Sequence, residues 1–441
     1  MKSSRSAWLL SAFFAAAVFA SCAGPSLGLK NQLHSLIRAE QYDQAEQTIE
    51  QAKEKEYGKK NAVLFHLDMA MVLHDMGRYK ESDSHFDDAE RRMQELWTVS
   101  ISKTAGTFLI NDNTTDYQGE PFERALVNVF RALNYTFLGD RDGALVEVRK
   151  SILYLSELRD KYELTTRYKD DALAEYLGSL LFEDDGRYDD ARISRDAAMK
   201  AYKDYGASYG TPMPKFDVGS DWKDKGEIVL FHYNGIAPVK ISKTFQVAWN
   251  DAVIAINASK EENKDDPRVK NAIIGGALGN QITVAYPEYQ DQPFGITDSA
   301  VSAGDASSST QLMEDVSAIA KDALERRNAA IRTRMIARAA IKFIISKAIS
   351  DEAEKQGGST LGFLAKMATG AVSAATEIAD TRCWATLPAQ VRMSRMLVPP
   401  GKYDLTVSFR DKSGAVVSTK VIKDVDARKG RRVYLHTRTA S

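Results

Sequence analysis

The sequence predicts an α+β protein in which an α-solenoid of helical repeats precedes a β-rich domain with inserted helices. Two observations carry this prediction. A turn followed by a small residue recurs along residues 33–206, at a spacing typical of paired helices. After residue 381, apolar and polar residues alternate between turn sequences, which is typical of strands. The predicted ranges are 33–206 for the repeats with an insertion at about 98–121, 207–309 for the first part of the β-rich domain, 310–380 for the inserted helices, and 381–441 for the completing strands.

The helical repeats are predicted from four segments that share one layout. A glycine can adopt the left-handed conformation that ends a helix, and a small residue in the next helix lets the pair approach closely. The turns begin at Tyr42, Gly77, Gly139 and Gly186, and the small residues are Ala45, Ser82, Ala144 and Ala191. This layout resembles the tetratricopeptide repeat, although Arg141 replaces the usual turn aromatic and the later spacing is uneven. An unrelated helical bundle is the alternative.

The first of these helices in each repeat is expected to line a concave groove. Its apolar strip would suit an amphipathic helix or extended peptide from another protein of the cell envelope. The eight predicted partner-binding residues are Leu67, Met71, His74, Leu126, Val129, Leu133, Tyr176 and Leu180. The alternative is that the insertion at about 98–121 already fills the groove.

Strands and helices alternate in the C-terminal half. Predicted strands are Glu227–Phe231, Ile282–Tyr286 (stopped by Pro287), Val391–Val398, Tyr403–Phe409, Val416–Val421 and Arg432–His436. Two helical stretches are predicted, from Thr310 to about Ala353 and from Leu361 to Asp380. The segment Gln246–Ser259 fits either a helix or a strand.

The first 21 residues have the composition of a secretory signal peptide. Lys2 and Arg5 precede an apolar run that is too short to span a bilayer, and Ala20 and Ser21 are small. Cys22 follows at once, so this site resembles the lipobox of bacterial lipoproteins. That resemblance implies cleavage before Cys22, acylation of its thiol, and a tether over 22–32 that holds the protein on a membrane. The alternative is ordinary cleavage beside a coincidental cysteine.

Composition narrows the classes of function. The chain has 59 Lys and Arg against 60 Asp and Glu, so it lacks the excess of basic residues that would indicate a nucleic-acid partner. Once Cys22 is acylated, Cys383 has no cysteine to pair with. None of the six histidines has the spacing of a metal site, and no nucleophile elbow or phosphate loop is found. We therefore predict no catalytic residues, no metal and no cofactor.

A run of basic residues in the predicted helix after Thr310 has two interpretations. It could lie on anionic lipid or an acidic partner, or it could be the solvated face of a helix packed on the sheet. The residues are Arg326, Arg327, Arg332, Arg334, Arg338 and Lys342.

Several short motifs together resemble an uncharacterised family of bacterial envelope lipoproteins with repeat-like helices in front and a β-rich domain behind. The motifs are Phe122-Glu123-Arg124, Ala132-Leu133-Asn134-Tyr135 with Gly139-Asp140, Ala144…Glu147…Arg149, Gly235-Ile-Ala-Pro238-Val-Lys240, Arg334…Arg338…Lys342, and Thr381-Arg382-Cys383-Trp384-Ala-Thr-Leu387-Pro388. The resemblance implies a non-enzymatic scaffold or assembly factor that binds envelope proteins, in a setting similar to that of lipoproteins assisting cell-wall synthesis. Ala23 after the cysteine resembles the sorting signal for the outer membrane, facing the periplasm.

The alternative function is an envelope enzyme, or a ligand-binding regulator. It would have a pocket between the β-rich domain and the inserted helices. Buried, convergent carboxylates in such a pocket would favour this alternative, whereas a filled junction would favour a scaffold.

Overall fold

A computed structural model describes residues 24–101, 115–162, 168–217, 222–259, 261–275, 281–376 and 379–441. Over this part the protein is a mixed α+β fold, with helices in the N-terminal half and most strands in the C-terminal half, as predicted. Cys22, the signal segment and most of the predicted insertion lie outside the described residues.

The N-terminal half is built from consecutive helices that pack on one another. Gly77, Gly139 and Gly186 have φ angles of +75°, +77° and +73°, which is the left-handed conformation predicted for these turns. In the first turn Glu40 adopts a positive φ instead. The helices are α1 Leu27–Arg38, α2 Tyr42–Ala52, α3 Ala62–Asp75, α4 Tyr79–Ile101, α5 Pro121–Leu138, α6 Arg141–Tyr162, α7 Ala172–Asp184 and α8 Tyr188–Tyr209.

Three sheets follow these helices. Their strands are β1 Gly226–Asn234, β2 Val239–Ala248, β3 Gln281–Gln290, β4 Ile296–Ala303, β5 Ala306–Ser309, β6 Gln311–Asp315, β7 Gln390–Val398, β8 Gly401–Asp411, β9 Val416–Ala427 and β10 Arg432–Thr439. The first sheet has the order β10-β1-β7-β6, in which only β1 and β10 are parallel, and the second is the antiparallel β2–β3 ribbon. The third sheet has the order β5-β4-β8-β9 and is antiparallel.

The first sheet is the middle of three layers. Because side chains alternate along a strand, β1 directs Val229 and Phe231 into the core shared with the N-terminal helices. It directs Ile228 and Leu230 into a second core shared with the third sheet. All nine residues of β1 are buried, as expected for a strand covered on both faces. One hydrophobic core therefore joins the two halves of the chain.

The β2–β3 ribbon packs separately with three helices. These are α9 Trp249–Ala258, α10 Pro267–Gly275 and α11 Val316–Thr376. Val247 and Val284 of the ribbon share a core with Ala340 and Ile344 of α11. The inserted helix thus packs against the ribbon, with its first turns reaching the main core.

The sequence located the four C-terminal strands, β7 to β10, and both β1 and β3. It was wrong on Pro287, which lies within β3 opposite Ser242; both strands of a two-stranded ribbon are edge strands, where proline is tolerated. The ambiguous segment 246–259 is divided between β2 and α9, and α11 spans both stretches predicted as separate helices. Strands β2, β4, β5 and β6 were not predicted.

Candidate functional site

The predicted partner-binding groove is occupied by the protein's own first sheet. All eight residues are at most 1 % exposed, and all except His74 lie in the hydrophobic core that also contains Val229, Phe231 and Tyr233 of β1. This corrects the prediction, because in the described structure the strip faces a sheet of the same chain and is not open to a partner. The eight residues are Leu67, Met71, His74, Leu126, Val129, Leu133, Tyr176 and Leu180.

His74 illustrates this contact between the halves. Its Nδ1 lies 2.6 Å from Oδ1 of Asn134, which only accepts, so Nε2 accepts the hydrogen bond from the Tyr233 hydroxyl at 2.9 Å. Burial lowers the pKa of His74 well below its usual value, which keeps the ring neutral. His74 therefore anchors helix α3 to strand β1.

A buried ion triad lies where α5, β2 and α11 meet. Glu120 caps α5 and pairs with both Lys240 and Arg327. Burial alone would raise the pKa of Glu120, but the charges on Arg327 and Lys240 lower it to about 2. Convergent carboxylates do occur at the junction between the β-rich part and the inserted helix, but their partners are cations and hydrogen-bond donors of the same chain.

Glu123 completes this arrangement beside Glu120. Its side chain accepts from the Tyr117 hydroxyl, from the backbone N–H of Glu120 at 2.8 Å and from the backbone N–H of Trp384 at 2.8 Å. Burial raises the pKa of Glu123, and the neighbouring charge of Glu120 raises it further. Residues of three separate sequence motifs, at 122–124, 235–240 and 381–388, therefore converge on one buried site.

The segment 380–388 is bound along its length by the N-terminal helices. Asp68 of α3 accepts hydrogen bonds from the backbone N–H groups of Ala385 and Thr386, each at 3.1 Å. Arg382 is fully buried, pairs with Asp380 and donates to the carbonyl of Thr115 at 2.7 Å. We name residues 380–388 the internal strap, because they tie the strands to the helical layer.

Cys383 of the strap has the environment of a structural thiol. Its Sγ accepts from the backbone N–H of Lys240 at 3.4 Å and lies 3.8 Å from Nζ of Lys30. Burial raises the pKa of the thiol, so the thiolate needed for nucleophilic chemistry is disfavoured. Cys383 is therefore a small buried side chain that packs inside the strap.

The basic run of α11 makes contacts within the protein. Arg334 and Arg338 both lie near Glu261, at 2.7 and 3.4 Å, and the Arg332 guanidinium lies 5.0 Å from the ring of Tyr286. Arg326 pairs with Asp322 at 2.9 Å. These contacts support packing of the helix on neighbouring elements, but the basic side chains are paired and partly buried, so the run is not the solvated face that the structural interpretation predicted.

An open groove lies on the other side of α5, between α4 and α6. It has a volume of about 640 Å³ and combines charged residues with apolar ones such as Met93, Val127 and Leu153. Leu153 is 60 % exposed. We name this feature the outer groove, defined by Asp87, Glu90, Arg91, Met93, Gln94, Glu95, Arg124, Val127, Asn128, Lys150, Leu153, Tyr154 and Glu157.

Most charges in the outer groove already have partners. Arg131, below the groove, pairs with Glu90 and with Asp87, the latter at 3.1 Å. Lys150 contacts Glu90 at 3.3 Å and Glu147 at 3.0 Å. These pairs link α4, α5 and α6 and fix the shape of the groove.

Arg124 is the exception. Its guanidinium lies 4.6 Å from the Trp97 ring and 4.7 Å from the Tyr154 ring, and one nitrogen donates to Gln94 at 3.2 Å. The other terminal nitrogen, NH1, has no hydrogen-bond partner in the part of the chain that the structure describes. NH1 is itself covered, so a carboxylate or carbonyl oxygen of a ligand can accept from it only after the side chains over it move aside.

Sequence reasoning missed the outer groove. Arg124 and Glu147 lie in the sequence motifs given above but had no predicted role, because the groove depends on which faces of α4, α5 and α6 meet. The available signal was the spacing of Arg124, Asn128 and Arg131, which puts polar groups on the face of α5 opposite its apolar strip.

Comparison with known proteins finds no match, whether among family models, curated proteins or solved structures. Within the described ranges, no helix has both the length and the apolar character needed to cross a membrane.

Proposed function

We propose that this protein is a lipid-anchored lipoprotein of the bacterial envelope that acts as a protein-binding scaffold, with the outer groove as its binding face. The observation that carries the proposal is Arg124, buried between two rings at a groove and left with a spare N–H donor. Such a group favours a ligand that brings an oxygen acceptor.

A tetratricopeptide-like solenoid is part of the proposal. The glycine turns at Gly77, Gly139 and Gly186 support it, as does the burial of Ala144 and Ala191 where paired helices approach each other. In such a solenoid the inner face is the usual binding surface. Here the inner face is covered by the first sheet, so binding is transferred to the groove between the second helices of neighbouring pairs.

The ligand we propose is a protein segment with a carboxylate next to an apolar side chain. The carboxylate would meet Arg124, and the apolar side chain would pack on Leu153 and Val127. Contact with Lys150, whose side chain is 41 % exposed, would add a second positive charge at the rim. These contacts account for a preference for acidic, partly apolar segments.

We also propose that the chain is a member of the envelope lipoprotein family, and contacts between its motif residues support this. Motif residues that carry the resemblance are in mutual contact, since Glu123 accepts from Trp384 and Lys240 donates to Cys383. Contacts between distant motifs support a shared structural role. Anchoring through Cys22 and residence at the outer membrane follow from the resemblance alone.

The groove is tested by site-specific photo-crosslinking in intact cells. A photoreactive residue at Leu153 is compared with one at Ile193, which is 58 % exposed but lies on α8 outside the groove. We expect discrete adducts from position 153 that disappear when Lys150→Glu is added, and none of these from position 193. Identical adducts at both positions, or none from either, would contradict the groove.

Anchoring is tested separately with Cys22→Ser. The native protein is expected in the membrane fraction in its processed form, and the variant is expected to leave that fraction. A variant that still sediments with membranes would contradict acylation at Cys22. This result is independent of the crosslinking result, so the two parts of the proposal can fail separately.

A further inference from the structure

Two histidines from neighbouring helices meet at the surface between α3 and α4. Nδ1 of His66 lies 3.0 Å from Nδ1 of His85, and their ring centroids are 5.2 Å apart. Oδ2 of Asp88, three residues beyond His85 on α4, lies 3.8 Å from Nδ1 of His66. Three potential metal-ligating groups are therefore clustered, although the sequence spacing gave no sign of it.

The geometry of the pair fits a shared cation. Zn²⁺ binds imidazole nitrogens at about 2.0–2.1 Å, so two such ligands at a tetrahedral angle have nitrogens about 3.3 Å apart. The observed 3.0 Å is close to this distance, but the two nitrogens of the hydrogen-bonded pair point at each other, so both rings must also turn toward a common metal position. In the absence of a metal, one of the two Nδ1 atoms must carry the proton that they share, and metal binding would move that proton to Nε2 of the same ring, which stays neutral.

The site is accessible, and one aromatic ring packs against both imidazoles. The His66 side chain is 24 % exposed and that of Asp88 is 39 % exposed. Phe65 packs edge-on against both rings, at 5.2 and 6.0 Å between centroids. A neutral imidazole offers one nitrogen lone pair to a metal ion, so each ring can supply one ligand.

We propose that His66 and His85 bind a divalent transition-metal ion of the Zn²⁺ class, with Asp88 as a third ligand and water completing the shell. With the side chains as they stand, no group of three or more His, Cys, Asp or Glu residues within the described ranges could hold a metal ion. Asp88 must therefore rotate its carboxylate toward His66, which its exposure permits. Arg91 can keep its 2.5 Å contact with the other oxygen, Oδ1.

Surrounding charges are mixed. Lys53 and Arg91 act unfavourably on a cation, as they do on the protonated form of His66. Asp88, Glu46 and Glu50 lie near His85, and their negative charges favour a cation there. A site with two imidazoles and one carboxylate in partial contact with water is expected to bind with micromolar rather than nanomolar affinity, and to prefer Zn²⁺ over the oxygen-seeking Mg²⁺ and Ca²⁺.

The test is calorimetric titration of Zn²⁺ into the untagged chain carrying Cys22→Ser, which removes a competing thiol. We expect one site with micromolar affinity and no heat from Mg²⁺. His66→Gln and His85→Gln should each weaken binding at least tenfold, and Asp88→Asn should weaken it several-fold. His34→Gln, at a buried histidine outside the site, is the matched control and should bind Zn²⁺ as the parent does.

Folding is followed in every variant by circular dichroism. A folded His66→Gln/His85→Gln double variant that binds Zn²⁺ as tightly as the parent would overturn the proposal. So would the absence of any Zn²⁺ binding by the folded parent at 100 μM metal, a test that needs no variant. A Zn²⁺-dependent rise in the melting temperature of the parent, absent from the double variant, provides an independent positive result.

Discussion

Glu123 of α5 accepts a hydrogen bond of 2.8 Å from the backbone N–H of Trp384, which lies 261 residues further along the chain. The same carboxylate accepts from the Tyr117 hydroxyl. Trp384 belongs to the internal strap, so this contact ties the C-terminal strands to the start of a helix in the N-terminal half. The fold therefore depends on pairing between residues far apart in sequence.

Removal of this acceptor should destabilise the whole protein. Glu123→Ala leaves the buried N–H of Trp384 and the buried Tyr117 hydroxyl without their acceptor, and each unsatisfied group costs about 1–3 kcal/mol. We expect the urea midpoint to fall accordingly. Asp196→Asn, at a 63 % exposed side chain on α8, is the control and should change stability by less than about 0.5 kcal/mol. A midpoint for Glu123→Ala equal to that of the control would contradict this role.

Stability should also depend on acid through Glu120. Its pKa is about 2 in the folded protein against an ordinary value of 4.5, so between these pH values the unfolded chain binds more protons. The stabilisation is complete above pH 4.5 and is lost as the pH falls toward 2. Glu120→Gln, which lacks this titration, should show a shallower loss of stability between pH 4.5 and 2. Equal slopes for variant and parent, measured by urea unfolding, would refute the assignment.

Glu314 should have the opposite effect. It is fully buried on β6, accepts from the Tyr205 hydroxyl at 3.3 Å, and has its second oxygen without a hydrogen-bond partner in the described structure. Burial and the nearby Asp171 raise its pKa well above the usual value, so the folded state holds a proton that the unfolded state releases above pH 4.5. The contribution of Glu314 to the free energy of unfolding is therefore complete below pH 4.5 and declines as the pH rises above 4.5.

Glu314→Gln mimics the protonated form and removes that decline. We expect the melting temperature of the variant at pH 8 to exceed that of the parent by about 2–5 °C, with a smaller difference at pH 4.5. Thermal melts at both pH values measure the effect. A variant that is less stable than the parent at pH 8 would show that Glu314 is ionised and paired.

Charge on the inner strip should disrupt folding. Met71 is fully buried against the sheet, so Met71→Glu places an unpaired carboxylate in the core and should cost several kcal/mol. Leu153→Glu, at a 60 % exposed position in the outer groove, should leave stability nearly unchanged. Far-ultraviolet circular dichroism and melting temperatures separate the two. A folded Met71→Glu protein with native stability would restore the inner strip as a candidate binding surface.

Local signals explain the elements that the sequence located. Gly77, Gly139 and Gly186 marked helix turns because left-handed φ angles favour glycine, and the alternation after Val391 marked strands because one face of each strand is buried. Strands β4 and β5 escaped notice because their serine-rich sequences carry little apolar alternation. The position of β4 is set by its pairing with β8, and the position of β5 is set by its pairing with β4.

The binding surface could not be located from periodicity. Leu126, Val129 and Leu133 have the pattern of an apolar helix face, but the pattern is the same whether that face meets a partner or a sheet of the same chain. The distinction depends on β1 reaching the helices, a contact of high sequence separation. The same limitation hid the His66–His85 pair, which forms between two helices.

The direct test compares the thiol accessibility of the inner strip with that of the outer groove. Once Cys22 is replaced by Ser, Cys383 is the one native cysteine left in the sequence, and it is buried. In that background Leu153→Cys and Leu126→Cys are each treated with a thiol reagent under native conditions. We expect position 153 to react rapidly, and position 126 and Cys383 to react only on unfolding. Equally fast labelling at position 126, in a protein with native circular dichroism, would contradict coverage of the inner face by the protein's own sheet.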